Sequence, residues 1–151
     1  MPVKELKEFL DSRGTRYVTV THSPAYTAQE VAASAHIPGK TVAKTVIAKL
    51  DGKLAMVVLP ASEQVDFARF KAATGAGTVE LAHEDEFKDK FPGCELGAMP
   101  PFGNLYGMEV FLAESLSRET DIAFNAGSHA ELMKLAYADY QQLVKPSVIK
   151  L

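Results

Sequence analysis

The chain has one cysteine, no tryptophan and no surplus of basic residues. The lone Cys94 rules out an internal disulfide; a small buried hydrophobe in a reducing compartment is its expected role. Sixteen Lys and Arg stand against nineteen Asp and Glu, a formal net charge of −3. No overall positive field therefore draws the chain to nucleic acid, and any contact with RNA has to be local and small. No stretch approaches the ~20 apolar residues of a membrane span. The opening Met1-Pro2-Val3-Lys4-Glu5-Leu6 lacks the apolar run of a secretion signal. A cytoplasmic protein without membrane contact is expected. No Walker loop or dinucleotide fingerprint is present, since Gly75-Ala76-Gly77 lacks the third glycine and the helix that must follow. His22, His36, His83 and His129 are scattered, and no pair has metal-ligand spacing.

What is there is an ordinary globular composition: 151 residues, 47% hydrophobic and 23% charged. That length predicts one domain over 1–151, large enough for a core without staples. Leu6, Phe9 and Leu10 share a helical face, and Gly14 ends that run. Tyr17 to Thr21 is a short β-rich segment. Thr27-Ala28-Gln29-Glu30 has the form of a capping box. Thr41–Leu50 and Lys53–Pro60 read as strands joined by Asp51-Gly52, a tight-hairpin signal. The second is apolar on both faces and belongs in the middle of a sheet. Asp66 caps a short helix with Phe67 and Phe70 inward, and Val79 to Leu81 is a brief strand. Glu84 to Phe91 is a charged helix with a solvated face. Strands follow at Glu109–Ala113, Asp121–Asn125 and Ala130–Ala136, and a helix at Ala138–Val144 closes the chain. Short helices interrupting mostly antiparallel strands predict an α+β fold rather than a doubly wound sheet.

Three clusters could carry chemistry. Lys44 shares the more apolar face of its strand with Val42, Val46, Ala48 and Leu50. An ammonium there either snorkels to an edge or lines a cavity that receives an anion. Thr45 beside it is more readily a sheet residue than a nucleophile. Gly97-Ala98-Met99-Pro100-Pro101-Phe102-Gly103 has glycines at both ends and two adjacent prolines, giving a loop of fixed shape. It serves either as a rigid turn or as a nest of backbone donors for an oxyanion. The third is Asn125-Ala126-Gly127-Ser128-His129, a Gly-Ser-His triplet after a strand. Neighbours in an extended chain point apart, so a Ser–His nucleophile pair is not expected. His129 is then a pocket wall or a structural histidine.

In this order and spacing, Thr27-Ala28-Gln29-Glu30, Ala43-Lys44-Thr45, Leu59-Pro60-Ala61, Gly97-x-x-x-Pro101-Phe102-Gly103 and Gly127-Ser128-His129 resemble the YbaK family of free-standing editing domains. That family is related to the editing insertion of bacterial prolyl-tRNA synthetase. The resemblance runs from about Leu6 to Leu143. It implies a mixed, mostly antiparallel, barrel-like sheet flanked by short helices. It implies hydrolysis of the ester of misacylated tRNA without metal or cofactor. The amino acid would be small (Ala, Cys or Ser) and the tRNA that of proline. Water attacks, aided by the substrate's own ribose hydroxyl. The position matching Lys44 would hold the phosphate of the terminal adenosine, Gly97 and its loop would stabilise the carbonyl, and His129 and Met99 would bound the side-chain pocket. Thr45, Ala98, Pro100, Pro101, Phe102, Gly103, Gly127 and Ser128 would complete the substrate site. The expected partner is the aminoacyl-tRNA acceptor end, with a synthetase as a further one. The rival readings are a non-catalytic tRNA- or synthetase-binding module of the same fold and a metal hydrolase built on the histidines.

Overall fold

The computed structural model describes residues 4–21, 38–91, 94–95 and 97–150. The capping box at Thr27–Glu30, together with His22 and His36, lies outside the described residues.

Helix α1 (Lys4–Ser12) buries Leu6 and Leu10 and stops before Gly14, whose φ of 65° is the left-handed value. After β1 (Tyr17–Thr21), strands β2 (Val42–Leu50) and β3 (Lys53–Pro60) form the predicted hairpin. Asp51 and Gly52 have φ values of 49° and 83°. Positive φ at both turn positions is what a two-residue hairpin turn with the strands' own twist requires. Helix α2 (Phe67–Thr74) starts at Asp66, whose carboxylate accepts from the amides of Ala68 and Arg69, and ends at left-handed Gly75. Then come β4 (Val79–Leu81), α3 (Glu84–Phe87), β5 (Glu109–Ala113), β6 (Asp121–Asn125), β7 (Glu131–Ala136), α4 (Tyr137–Val144) and β8 (Ser147–Ile149).

The strands form one mixed sheet, β1-β7-β6-β2-β3-β5-β8, with β4 added to β2. Four pairings are antiparallel and three, β2·β6, β3·β5 and β5·β8, are parallel. The α+β expectation holds. Alternation sorts the side chains onto two faces. Ala43, Ile47, Met56, Val58, Ile122, Phe124 and Met133 enter the main core, under α1 and α4. Ala48, Ala55, Val57 and Leu59 meet Phe70 and Phe111 on the other side. Strand β3 is buried from Ala55 to Pro60, as its two-faced apolar pattern demands.

Two expectations need correction. The helix expected over Glu84–Phe91 ends at Phe87, because a turn over the next three residues lets Phe91 bury beside it. Its face is also not merely solvated: Glu86 pairs with Lys49 at 2.9 Å and accepts from the His83 amide. Strand β8 had no sequence signal, being three residues long behind Lys145-Pro146 at a sheet edge.

One feature of the sheet positions everything that follows. Strand β2 pairs with β3 along nearly its whole length on one side. On the other it meets β6 only at Val42–Ala43 and β4 only at Ala48–Leu50. The Ile47 carbonyl still accepts from the Ala82 amide just past β4, so between the two contacts, among the described residues, the sheet is split over residues 44 to 46, and Lys44 sits at the mouth of that split.

Candidate functional site

Lys44 lies one residue past the last β2·β6 pair, Ala43–Phe124, and opposite Leu59 of β3. Alternation puts it on the face of Val42 and Ala123, which form a small buried cluster with Ala61. By the same rule Asn125, one residue past the pair on β6, is on that face too. Burial pushes the Lys44 ammonium below the ordinary lysine value, partly offset by the carboxylate of Glu63 acting through space. Lys44 makes no hydrogen bond or ion pair among the described residues, while Glu63 accepts from the Ser115 hydroxyl at 3.2 Å. A half-buried cation without a contacting anion is costly in the unliganded protein and suited to receive one.

The glycine–proline segment is a rigid object. Gly97 takes a φ of 86°. The Pro101 carbonyl accepts from the Tyr140 hydroxyl at 2.6 Å, and the Phe102 ring, fully buried, packs edge-on against Phe9, Phe124 and Tyr140. Burying such a ring contributes roughly 1.5–3 kcal/mol to holding the segment in place. A side chain at Gly103 would meet the Met108 carbonyl oxygen at 2.5 Å and Val110 Cγ2 at 2.6 Å, so only glycine fits. The amide of Ala98 is used by Glu95 O and that of Phe102 by Pro100 O. Gly97 N–H donates to Met99 Sδ at 3.2 Å, a weak acceptor that an oxyanion would outcompete. The amide of Met99 has no backbone acceptor among the described residues.

The Gly127 turn is docked onto this segment. Gly127, with φ 95°, donates its amide to Ala98 O at 2.9 Å and accepts from Glu95 N at 2.8 Å. Ser128 Oγ accepts from the Ala130 amide, as befits a turn residue. His129, only 8% exposed, has Nδ1 2.7 Å from Glu95 Oε2, and its Nε2 lies 3.3 Å from where a Gly97 Cβ would stand. The His129 hydrogen bond holds the Glu95 carboxyl below its ordinary range.

The fold thus brings Gly97, Ala98, Met99, Gly127 and His129 together. It sets Lys44 across the sheet from the buried side chains of Met99 and Phe102. Thr45, alternating with Lys44, is on the loop's side. The short run Asn125-Ala126-Gly127 connects the two groups around the end of β6. Sequence reasoning missed Glu95 and Glu63, and it included Asn125 in its third cluster without a role. Glu95 adjoins a motif that was singled out, yet its pairing with His129 over 34 residues has no local signal. Lys49, on the opposite face of the strand from Lys44, is engaged by Glu86 and Glu80. Cys94 is half-buried beside Tyr106, and burial raises its thiol pKa.

Two cavities, of about 740 and 330 Å3, lie along β1, β6 and β7 and share Asp121 and Lys134. Neither is lined by Lys44, Gly97 or His129, and Asp121 and Lys134 face each other at 4.0 Å. Among the described residues no group of three or more His, Cys, Asp or Glu is placed to hold a metal ion. None of the described helices is long and apolar enough to cross a membrane.

Comparison with known proteins bears on this arrangement. The aminoacyl-tRNA editing domain family matches residues 22–143. The multifunctional Ser/Thr-tRNA deacylase ProXp-y of Escherichia coli (strain K12) is 28% identical over 155 aligned residues, covering 97% of this chain and 90% of that protein. A proline–tRNA ligase of Bacillus mycoides is 32% identical over 82 residues, which is 54% of this chain but 14% of the ligase. Among solved structures, one described as a candidate trans-editing enzyme for prolyl-tRNA synthetase superposes with a TM-score of 0.81 at 18% identity, covering 98% of this chain and 94% of that one. The hypothetical protein APE2540 superposes with a TM-score of 0.85 at 19% identity, over 97% and 98%. These two likenesses speak for the fold, and the family match extends from before the split in the sheet to α4. The chain belongs to the aminoacyl-tRNA editing domain family.

Proposed function

We propose that this protein, acting as a single domain in the cytoplasm, hydrolyses in trans the ester between tRNA and a wrongly attached small amino acid. Alanine, cysteine and serine are the candidate amino acids and proline's is the candidate tRNA. The Escherichia coli relative is named for serine and threonine, so small hydroxylated side chains are the first to test. The observation that carries the reading is Lys44: a half-buried ammonium, lowered in pKa by burial, at the mouth of a split in the sheet and without a contacting anion among the described residues. Its role is to hold the phosphate of the terminal nucleotide.

The Gly97–Gly103 segment receives the ester carbonyl. The Met99 amide, and the Gly97 amide once released from the Met99 sulfur, are the donors for the developing oxyanion. Each such donor is worth roughly 3–4 kcal/mol in the transition state. His129, held by Glu95, and Met99 bound the side-chain pocket, with Thr45, Ala98, Pro100, Pro101, Phe102, Gly103, Gly127 and Ser128 completing its shell. An aminoacyl ester is already activated, so positioning and electrostatics suffice and water is the nucleophile. A net charge of −3 is compatible with gripping a single-stranded acceptor end, which needs few phosphate contacts.

The test is a panel of mischarged tRNAs, scanned by amino acid and then by tRNA, with and without chelator. Loss of the ester from Ala-, Cys-, Ser- or Thr-tRNA(Pro), unaffected by EDTA and faster than from Pro-tRNA(Pro), is expected. Binding without ester loss would support the non-catalytic module instead, and inhibition by EDTA a metal hydrolase.

A further inference from the structure

Asn125, at the end of β6, is an anomaly of the fold. Its Oδ1 is buried without a hydrogen-bond partner among the described residues. A buried amide oxygen with no donor carries the full desolvation penalty of a polar group, and most such groups in folded proteins are satisfied. Flipping the amide would only exchange a stranded acceptor for a stranded donor. Asparagine is also a poor strand residue. The other such atom among the described residues, the Tyr137 hydroxyl, sits in the main core beside Tyr140. Asn125 differs in its position.

Three placements fix that position. Asn125 ends β6, one residue past the last β2·β6 pair, on the same face as Lys44 of the adjacent strand. Adjacent strands lie about 4.8 Å apart. Two residues later, Gly127 docks onto Ala98 of the carbonyl-binding segment. So Lys44, Asn125 and the Gly97 loop follow one another around the end of β6. The end of an aminoacylated tRNA has the same order: phosphate, ribose, ester. With the phosphate at Lys44 and the ester at the loop, the ribose falls at Asn125. The ribose keeps one free hydroxyl beside the ester, an O–H donor, and Asn125 Oδ1 is an acceptor without one.

We propose that Asn125 is a substrate-binding residue whose side-chain oxygen accepts a hydrogen bond from the free ribose hydroxyl vicinal to the ester. The assignment rests on the editing function proposed above and adds the contact that lets the site tell RNA from DNA at its terminal nucleotide. The oxygen is closed to water in the unliganded protein although the residue as a whole is half-buried, so the contact requires the side chain to turn toward the split as the ribose binds.

The experiment uses short RNA hairpins ending in a non-hydrolysable 3′-aminoacylamide, made with and without the 2′-hydroxyl. Wild type is expected to bind the hydroxylated form about ten-fold more tightly. Asn125→Ala should bind both forms alike, at the wild-type affinity for the deoxy form. Asn125→Val, with a better strand former, should do the same. Because each variant removes an unpaired buried oxygen, neither should melt below wild type. A ten-fold preference that survives in both variants, or an equal loss for both hairpins, overturns the assignment. Wild-type deacylation of the mischarged panel separates the two levels. If wild type deacylates and the variants keep the preference, only the Asn125 contact falls. If wild type neither deacylates nor binds either hairpin, the editing function falls and this contact with it.

Discussion

Strand β2 carries two lysines five residues apart, and its two ends treat them in opposite ways. Lys49, near the hairpin, lies across from Glu80 of β4 and bonds Glu86 at 2.9 Å, and this hydrogen bond raises its pKa. Lys44, at the split, meets no carboxylate in contact among the described residues, and burial lowers its pKa. The same residue type on the same strand, half-buried in both places, is a paired ion at one end and a cation without a contacting anion among the described residues at the other. The difference comes from what each strand edge offers. The hairpin end is completed by β4, while the other end opens between β4 and β6 and leaves its cation for something from outside.

The contrast is broken most directly by removing each charge in turn. Lys44→Ala is expected to lower deacylation about 100-fold or more, the scale of losing a key positioning contact, with the melting temperature unchanged or higher. Lys49→Ala should leave deacylation untouched and lower the melting temperature slightly, as exposed pairs contribute little. Equal rates for Lys44→Ala and wild type would remove Lys44 from the site, and a large rate loss in Lys49→Ala would erase the distinction between the ends.

A second variant sharpens it from the hairpin side. Asp51 holds a positive φ in the turn, and its carboxylate accepts from the Thr78 amide at 2.9 Å, tying the hairpin to the segment leading into β4. Asp51→Ala should cost roughly 1–2 kcal/mol in urea unfolding, from the lost hydrogen bond and a poorer turn residue. Its deacylation rate should remain that of wild type, because this end of β2 only completes the sheet. A rate loss larger than the unfolding data explain would show that the two ends are coupled.

The two ends were also unequally legible in the sequence. The hairpin end was readable almost residue by residue. Apolar, β-branched runs marked both strands, Asp51-Gly52 the turn, and Asp66 and Gly75 the bounds of α2, because each is a local signal read within a few residues. At the site end, local patterns left Lys44 between a snorkelling side chain and an anion site, and the loop between a turn and a nest. What decides such cases is non-local. The split in the sheet arises from β4 and β6, which approach β2 from far along the chain. The Glu95–His129 bond and the docking of Gly127 on Ala98 span about thirty residues each. The ordered set of motifs carried the family resemblance without any of that geometry. It did not carry Asn125, whose meaning depends on burial and on a neighbour in another strand.

The finest test of the two lysines uses protons rather than turnover. The Lys49 pKa is raised from 10.5 in the folded state, so its ion pairs stabilise the fold fully below that value, and the contribution is lost as pH rises through the folded pKa. The Lys44 pKa is lowered from 10.5. Between its folded value and 10.5 the unfolded chain therefore binds more protons than the native one, so stability rises with pH across that window. The difference in melting temperature between wild type and Lys44→Met should accordingly move in favour of wild type as pH climbs from the lowered folded value towards the ordinary lysine pKa. The difference between wild type and Lys49→Met should stay level over that range and turn against wild type only above it. Each difference cancels the titration of the other lysines and of the tyrosines, leaving one group in view. Two curves of the same slope would mean that both ammonium groups sit in equivalent surroundings, and that the split in the sheet does not withhold a partner from Lys44.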